Sequence, residues 1–351
     1  MLQFIIKRCL YGILVLFGVI TIVFFLFNGL GDPARLTQGQ RTDVATIEAV
    51  KKELGLDKPL PVQFVMYVND VLPISVHTHS AETQEKYNYT PLLGFGDKKL
   101  VAKAPYLRYS YQSKRKVTEI LMQALPKTVI LGFTAIFFAS IIGIIFGVIA
   151  ALNQFNAIDN TILVTSILGI SQPSYFSGII LALIFGYWLG DYTGLNYTGD
   201  LYDFDENFNE VMVPKNLILP AIALGIRPIA IIVQLTRSTM LEVMSQDYVR
   251  TATAKGLSRF TVVFKHALRN ALNPVITTIS GWLAAILAGA YFVEIIFDYK
   301  GLGYVTINAL NTLDFPVAMG AVLFTAVLFV VVNILVDILY GMLDPRVSLK
   351  V

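Results

Sequence analysis

The sequence contains a single cysteine, Cys9, among its 351 residues. One cysteine excludes a disulfide within the chain and any metal cluster held by several thiolates. Charged residues are also scarce, at 15%, and a net charge of +3 is too small to indicate nucleic acid as a partner. The GxxxxGK[ST] pattern of a phosphate-binding loop does not occur either, so we expect neither an ATP site nor another cofactor in this chain.

Long apolar runs dominate the chain instead. Hydrophobic residues make up 55% of it and the mean hydropathy is +0.65, values typical of an integral membrane protein. A helix needs roughly 20 apolar residues to cross a bilayer core of about 30 Å. The sequence therefore predicts an all-α polytopic membrane protein with six transmembrane helices, at residues 9–30, 128–152, 161–189, 217–240, 275–297 and 317–342. The first run is too long for a signal peptide and ends without a small-residue cleavage site, so we interpret it as a retained anchor.

The basic residues of the short segments indicate which ends of these helices face the cytoplasm. One face would carry Lys7, Arg8, Arg237, Arg250, Lys255, Arg259, Lys265, Arg269, Arg346 and Lys350. The short loops of the other face hold only Lys215 and Lys300. The positive-inside rule then places both termini (1–8 and 343–351) and the loop 241–274 in the cytoplasm.

Residues 31–127 form a long external region in this topology. Helical periodicity is visible at 46–54, at 60–71 and at 117–125, where a surface helix would lead into the second span. Between them, residues 73–105 are polar and aromatic without a clear period. We expect an irregular insertion there.

The loop 241–274 has the composition of a docking element for a soluble partner. Asp247, Tyr248 and Arg250 open a short helix in which Ala252 and Ala254 keep the surface slim. Arg250 and Lys255 make the same stretch basic. Gly256 permits a sharp turn before a second amphipathic run at 259–272. The alternative is that this basic helix rests on anionic lipid headgroups.

One charged residue lies far from both ends of its predicted span. Arg227 is in the fourth span, followed by a proline, and intramembrane charges are costly and usually functional. Gln234 lies seven residues later and shares its helical face. The two are candidates for the translocation pathway, and the alternative for Arg227 is neutralisation by a neighbouring helix.

Several motifs, spread over nearly the whole chain except about 73–105, together resemble one family. They are GDPAR from Gly31, LGLDKPL from Leu54, LPKT from Leu125, DYVRTA from Asp247, HALRNAL from His266, GLG from Gly301 and LDPR from Leu343. In combination they resemble the permease subunits of ABC importers, specifically the dipeptide, oligopeptide and nickel branch. The general permease consensus has Glu-Ala-Ala where this chain has Arg250, Thr251 and Ala252, a departure common in that branch.

The resemblance implies a type I ABC importer-like fold and a role as one permease half of an importer in the inner membrane. Its partners would be a second, similar permease, two ATPase subunits that hold ATP and magnesium, and an external substrate-binding protein. The segment 247–257 would be the coupling helix that sits in a cleft of an ATPase subunit. The contact residues that the resemblance implies are Asp247, Tyr248, Arg250, Thr251, Ala252, Lys255, Gly256 and Leu257. The cargo would be di- or oligopeptides, with nickel or another small solute as the alternative within the family.

Other functional classes fit the sequence less well. An ion-gradient-driven secondary transporter or channel, or a membrane scaffold, would need no ATPase partner. Gly29 to Asp32 match the GxGD string of intramembrane aspartyl proteases, but no second aspartate lies mid-membrane to share a proton. His77 and His79 make a poor metal site without a carboxylate or thiolate, so we expect no metal and interpret them as solvated loop histidines.

Overall fold

The computed structural model describes residues 2–29, 57–78, 80–96 and 98–343, and its secondary structure is mostly helical. The membrane-length apolar helices are Ile5–Gly29, Val117–Leu152, Lys215–Met244, Arg259–Leu287 and Phe315–Ile338. A sixth span results if the bent pair Ala157–Ser171 and Ser174–Trp188 is counted as one. The predicted helical membrane fold is thus confirmed, and small β-sheets are added to it.

The elements are numbered here in chain order. The helices are α1 (Leu2–Gly29), α2 (Leu60–Val71), α3 (Ala81–Tyr87), α4 (Val117–Leu152), α5 (Ala157–Ser171), α6 (Ser174–Leu181), α7 (Gly190–Thr193), α8 (Lys215–Met244), α9 (Asp247–Ala254), α10 (Arg259–Thr261), α11 (Arg269–Gly289), α12 (Tyr291–Ile296), α13 (Leu302–Asn311) and α14 (Phe315–Leu343). Two π-helical segments, Ala182–Trp188 and Val262–Leu268, continue α6 and α10. The strands are β1 (Ile74–Thr78), β2 (Thr90–Phe95), β3 (Lys98–Ala102), β4 (Tyr202–Phe204) and β5 (Glu210–Met212).

The third predicted span is not one straight helix. The chain bends by 107° between α5 and the segment that begins with α6. Gln172, between them, has an extended backbone with φ −91° and ψ 136°. Proline disfavours a helical conformation in the residue before it, so Pro173 ends α5 at this point.

Two compact units are distinguished by the proximity of their Cα atoms. The core unit comprises the described residues within 1–6, 125–304 and 328–351. Glycines in α4 allow α8 to approach closely: a Cβ at Gly147 would lie 2.5 Å from Thr236 Cβ, and one at Gly143 would lie 2.6 Å from Ile232 Cγ2. Small residues spaced by four are the usual means by which membrane helices bring their backbones together.

An ion pair between α5 and α8 also belongs to the core unit. Arg237 donates from Nε and Nη2 to the two carboxylate oxygens of Asp159, each at 2.6 Å. The Asp159 side chain is 1% exposed, and it also accepts from the backbone N–H of Phe155 at 3.0 Å. The two-pronged geometry fixes the start of α5 against the end of α8.

The second unit comprises the described residues within 7–124 and 305–327. Its helix α2 forms where an amphipathic pattern was predicted. The expectation of an irregular insertion at 73–105 was wrong, since β1, β3 and β2 form an antiparallel sheet in that order, with Val76 opposite Leu100. The strands are short, and a bulge between Pro91 and Leu93 interrupts β2, so the sequence shows little alternation.

His77 also differs from its predicted environment. It is a buried residue of β1 and not a solvated loop residue. Its ring lies 4.3 Å from that of Tyr87, and its Nε2 is 3.0 Å from Ser75 Oγ. Burial and the nearby Lys103 ammonium lower the His77 pKa below its usual value. His79, the expected helix at 46–54, Gly31 to Asp32, and residues 344–351 lie outside the described residues.

Two helices extend beyond their predicted bounds. The expected surface helix at 117–125 is continuous with the second span, as the single helix α4. Residues 259–287 likewise form one membrane-length helical stretch that continues through Pro274. The predicted loop 241–274 is therefore largely helical, with α9 between two longer elements.

Candidate docking site

The short helix α9 has one face buried within the chain. Val249 and Ala252 are 3% and 6% exposed and form a small apolar cluster with Val262, against which Val243 and Met244 pack. Ala252 was predicted as a docking residue that keeps the helix slim. In the structure its side chain is buried and packs α9 against the following helical segment, so it is not part of the exposed surface.

A Schellman motif ends α9 at Gly256. The Gly256 N–H donates to the Thr253 carbonyl at 2.9 Å, and the Leu257 N–H donates to the Ala252 carbonyl at 3.4 Å. These are the two hydrogen bonds that define the motif, which requires a left-handed residue after the helix cap. Gly256 supplies it with φ +77°, as the predicted sharp turn requires.

The next helix begins immediately after this turn. Ser258 accepts a hydrogen bond at its Oγ from the Thr261 N–H at 3.3 Å, the usual role of serine at a helix N-cap. The C-cap of one helix and the N-cap of the next are thus only a few residues apart. Capping hydrogen bonds therefore fix the backbone on both sides of the corner.

The exposed side of this corner carries an apolar patch. Phe260 is 70% exposed and Phe264 is 46% exposed, and their rings lie 4.5 Å apart on one face of the helix. Leu257 is also exposed, at 40%. We call Thr251, Ala254, Lys255, Leu257, Phe260 and Phe264 the docking surface. The two phenylalanines were not among the predicted contact residues, although their spacing of four within an amphipathic run was a visible signal.

Basic side chains lie on and around the docking surface. They are Arg250, Lys255, Arg259, Lys265 and Arg269, all of them exposed. Asp247 lies 3.6 Å from Arg250, but both side chains are largely in solvent, so this pair contributes little to stability. The surface therefore presents net positive charge to whatever it contacts.

Tyr248 has a structural role within the loop. Its hydroxyl accepts a hydrogen bond from Asn270 Nδ2 at 2.7 Å, which connects α9 to α11. The ring remains 42% exposed. The Tyr248 hydroxyl thus stabilises the position of α9 within the chain.

Arg227 and Gln234 lie on α8. Arg227 is the thirteenth of the 30 residues of this helix, about 18 Å from its start. It is exposed on the isolated chain, and Gln234 is partly buried. Among the residues that the structure describes, no carboxylate forms an ion pair with Arg227. Neutralisation by a neighbouring helix of the same chain is thus not observed in the described part.

Comparisons with known proteins agree with these features. Residues 143–349 match the family described as "Binding-protein-dependent transport system inner membrane component". Residues 1–132 match the N-terminal family of the same transport-system membrane components. Among solved structures, the inward-facing MetNI methionine ABC transporter aligns with a TM-score of 0.50 and 14% identity over 65% of this chain and 97% of that chain, which supports the fold.

Full-length relatives come from several bacteria. The chain is 36% identical to the di/tripeptide transport system permease protein DppB of Pseudomonas aeruginosa (strain UCBPP-PA14), over 99% of both chains. It is 35% identical to the dipeptide transport system permease protein DppB of Escherichia coli (strain K12), over 100% of both. It is 34% identical to the protein of the same name from Bacillus subtilis (strain 168), over 99% of both.

The membrane-length helices and the braced, exposed surface between two of them define an integral membrane subunit that works with other subunits of a transporter. The chain belongs to the family of binding-protein-dependent transport system inner membrane components. It is accordingly a permease subunit of an ABC importer of the peptide branch.

Proposed function

We propose that the chain forms half of the translocation pathway of an ATP-driven importer and couples to an ATPase subunit through the docking surface. The observation that carries the proposal is the exposed pair Phe260 and Phe264, beside a short helix whose other face is buried. Exposed aromatic residues at the centre of a polar rim are typical of protein–protein contacts. The surrounding positive charge favours an acidic partner surface.

The packing behind the docking surface supports a mechanical role. Val263 and Ala267, on the π-helical segment, pack in one apolar cluster with Met240 of α8 and Val148 of α4. Protein interiors are closely packed and transmit displacements with little compression. A displacement of α9 and Phe260 by a bound partner would therefore move the ends of α4 and α8 together with the docking surface.

The remaining subunits follow from this role. We expect ATP and magnesium in two ATPase subunits, a second permease of similar fold, and an external binding protein that delivers the cargo. This chain would contribute no catalytic residue. Both termini and the docking surface would lie in the cytoplasm of an inner-membrane complex, consistent with the positive-inside rule.

The exposure of Arg227 supports a position on the pathway or against the second permease. An arginine in the middle of a membrane helix is costly when it faces lipid. Its exposure on the isolated chain is consistent with a water-filled pathway or a partner subunit that covers it, and Gln234 lies two helical turns away on the same face. We expect Arg227→Leu to lower uptake without lowering the amount of protein in the membrane. Unchanged uptake would remove Arg227 from the pathway.

The cargo is proposed from the relatives. The names of three full-length relatives specify dipeptides or tripeptides, at 34–36% identity. We therefore propose short peptides as the transported solute. Uptake of labelled dialanine by the complete transporter in proteoliposomes should depend on ATP, and nickel uptake without peptide uptake would contradict this cargo.

The docking role is tested in the same proteoliposomes. The double variant Phe260→Ala/Phe264→Ala should insert normally and lose most ATP-dependent uptake, because aromatic anchors dominate the energy of protein contacts. Phe208→Ala is the matched control, since Phe208 is 87% exposed in a predicted outer loop. Full uptake by the double variant, or transport that follows an ion gradient after ATP depletion, would refute the proposal.

A further inference from the structure

The unit that contains the β1–β3–β2 sheet has a cleft that shares no residue with the docking surface. Its volume is about 240 Å³, larger than the cavity of about 150 Å³ that holds a benzene molecule in an engineered protein. It lies between helix α2, helix α3 and residues 106–114. A cleft of this size accommodates a group the size of one amino-acid residue.

The charge of the cleft is positive. Lys86, Arg108 and Lys114 line it together with one carboxylate, that of Asp70. Asp70 already accepts from the Tyr87 hydroxyl at 2.7 Å and from Arg108 Nη2 at 3.2 Å. Lys86 and Lys114 are exposed, and neither forms an ion pair among the described residues. The cations thus exceed the acids that line the cleft.

Tyrosine rings form the walls. The rings of Tyr87 and Tyr106 lie 5.0 Å apart edge to face, and Lys86 Nζ is 5.3 Å from both ring centres. Tyr109 continues the wall, 6.5 Å from Tyr106. Met66 adds an apolar contact. Such walls can contact a flat or apolar part of a ligand, and the Lys86 ammonium lies beside them.

The rim of the cleft is held in an unusual backbone conformation. Arg108 and Lys114 have φ of +67° and +57°, which is uncommon for residues with a side chain. The carboxylate of Asp314 fixes the segment between them, accepting from Ser110 Oγ at 2.5 Å and from the Tyr111 N–H at 3.0 Å. Backbone strain that the surroundings enforce is concentrated at binding sites, where it positions ligand contacts in advance.

We propose that this cleft is a binding site for a carboxylate carried on an aromatic or apolar residue. Lys86, Lys114 and the guanidinium of Arg108 would hold the carboxylate, and the tyrosine walls would contact the organic body. The carboxylate is either the terminal carboxyl group of a peptide or an acidic side chain of a protein segment. The proposal is independent of the docking surface and of the identity of the cargo.

The test measures equilibrium binding of labelled N-acetylphenylalanine to the complete transporter without ATP. N-acetylphenylalanine amide, which has the same body and no carboxylate, should bind at least about tenfold more weakly, as expected for loss of charge-assisted hydrogen bonds. The variant Lys86→Gln/Lys114→Gln should lower the affinity for the acid by a similar factor and leave that for the amide unchanged. Lys98→Gln, an exposed lysine of β3 outside the cleft, is the control.

Two further probes distinguish the sources of the carboxylate. N-acetyl-alanyl-phenylalanine has a free terminal carboxylate, and N-acetyl-glutamyl-phenylalanine amide has only a side-chain carboxylate. Tighter binding of the first assigns the cleft to peptide termini, and tighter binding of the second assigns it to acidic side chains. Equal affinity for acid and amide, equally tight binding of inorganic phosphate, or an unchanged affinity in Lys86→Gln/Lys114→Gln would overturn the proposal.

Discussion

The backbone of Gly256 offers a graded perturbation of the docking element. A Cβ added there would meet no atom within 4 Å, so a substitution is resisted only by the left-handed conformation at φ +77°. Alanine in this conformation costs about 1–2 kcal/mol, and asparagine costs less because it tolerates this region better. Proline cannot adopt it, since its ring fixes φ near about −65°, and it also removes the N–H that donates to Thr253.

We therefore expect coupling to fall in the order Gly, Asn, Ala, Pro at position 256. The assay is the ratio of peptide uptake to ATP hydrolysis by the complete transporter in proteoliposomes. Gly256→Asn should keep a nearly normal ratio, and Gly256→Ala should lower it partly. Gly256→Pro should insert into the membrane but hydrolyse ATP without uptake. A normal ratio in Gly256→Pro, or a larger defect in alanine than in proline, would refute the role of this turn.

Three further predictions concern stability. Gly147→Ala should lower the melting temperature of the chain, because the new Cβ overlaps Thr236 and overpacking costs about 1–3 kcal/mol. Gly281→Ala is the control and should leave the melting temperature unchanged, because there is open space at its Cβ. Equal effects of the two substitutions would count against close packing of α4 on α8. Asp159→Asn should lower the free energy of unfolding by roughly 3–5 kcal/mol, because it leaves the Arg237 guanidinium unpaired. In a denaturation series, the double variant Asp159→Asn/Arg237→Gln should recover part of this lost stability. The free energy of unfolding should fall as the pH drops below about 6.5, because the pKa of His77 is lower in the folded chain and the unfolded chain therefore binds the proton more tightly. This pH-dependent loss should be smaller in His77→Gln. An identical pH profile in the variant would exclude His77 as its source.

The sequence was most informative where physical constraints are strong. Membrane spans are visible in a sequence because a bilayer requires long uninterrupted apolar helices, and the charge of the loops adds a prediction of orientation. The turn at Gly256 was predictable for a similar reason, since few residues other than glycine adopt positive φ. These features depend on local sequence and on the solvent, and not on distant contacts.

Features that depend on long-range contacts were missed. Ala252 faces inward because Val262, ten residues later, completes its apolar cluster, and nothing in the local pattern distinguishes the two faces of so short a helix. The ion pair of Asp159 with Arg237 joins residues 78 positions apart. The sheet was not predicted because β1 pairs with β3, from which α3 and β2 separate it in the sequence. Strands of five or six residues also carry little periodicity.

The most direct test of the central claim is a photocross-link from position 260. A benzoylphenylalanine placed at Phe260 in the complete transporter, with the same group at Phe208 as control, would be irradiated in membranes and the attached protein identified by mass spectrometry. The account predicts that position 260 captures an ATPase subunit and that position 208 does not. Capture of lipid alone, or of an external protein, by position 260 would contradict it.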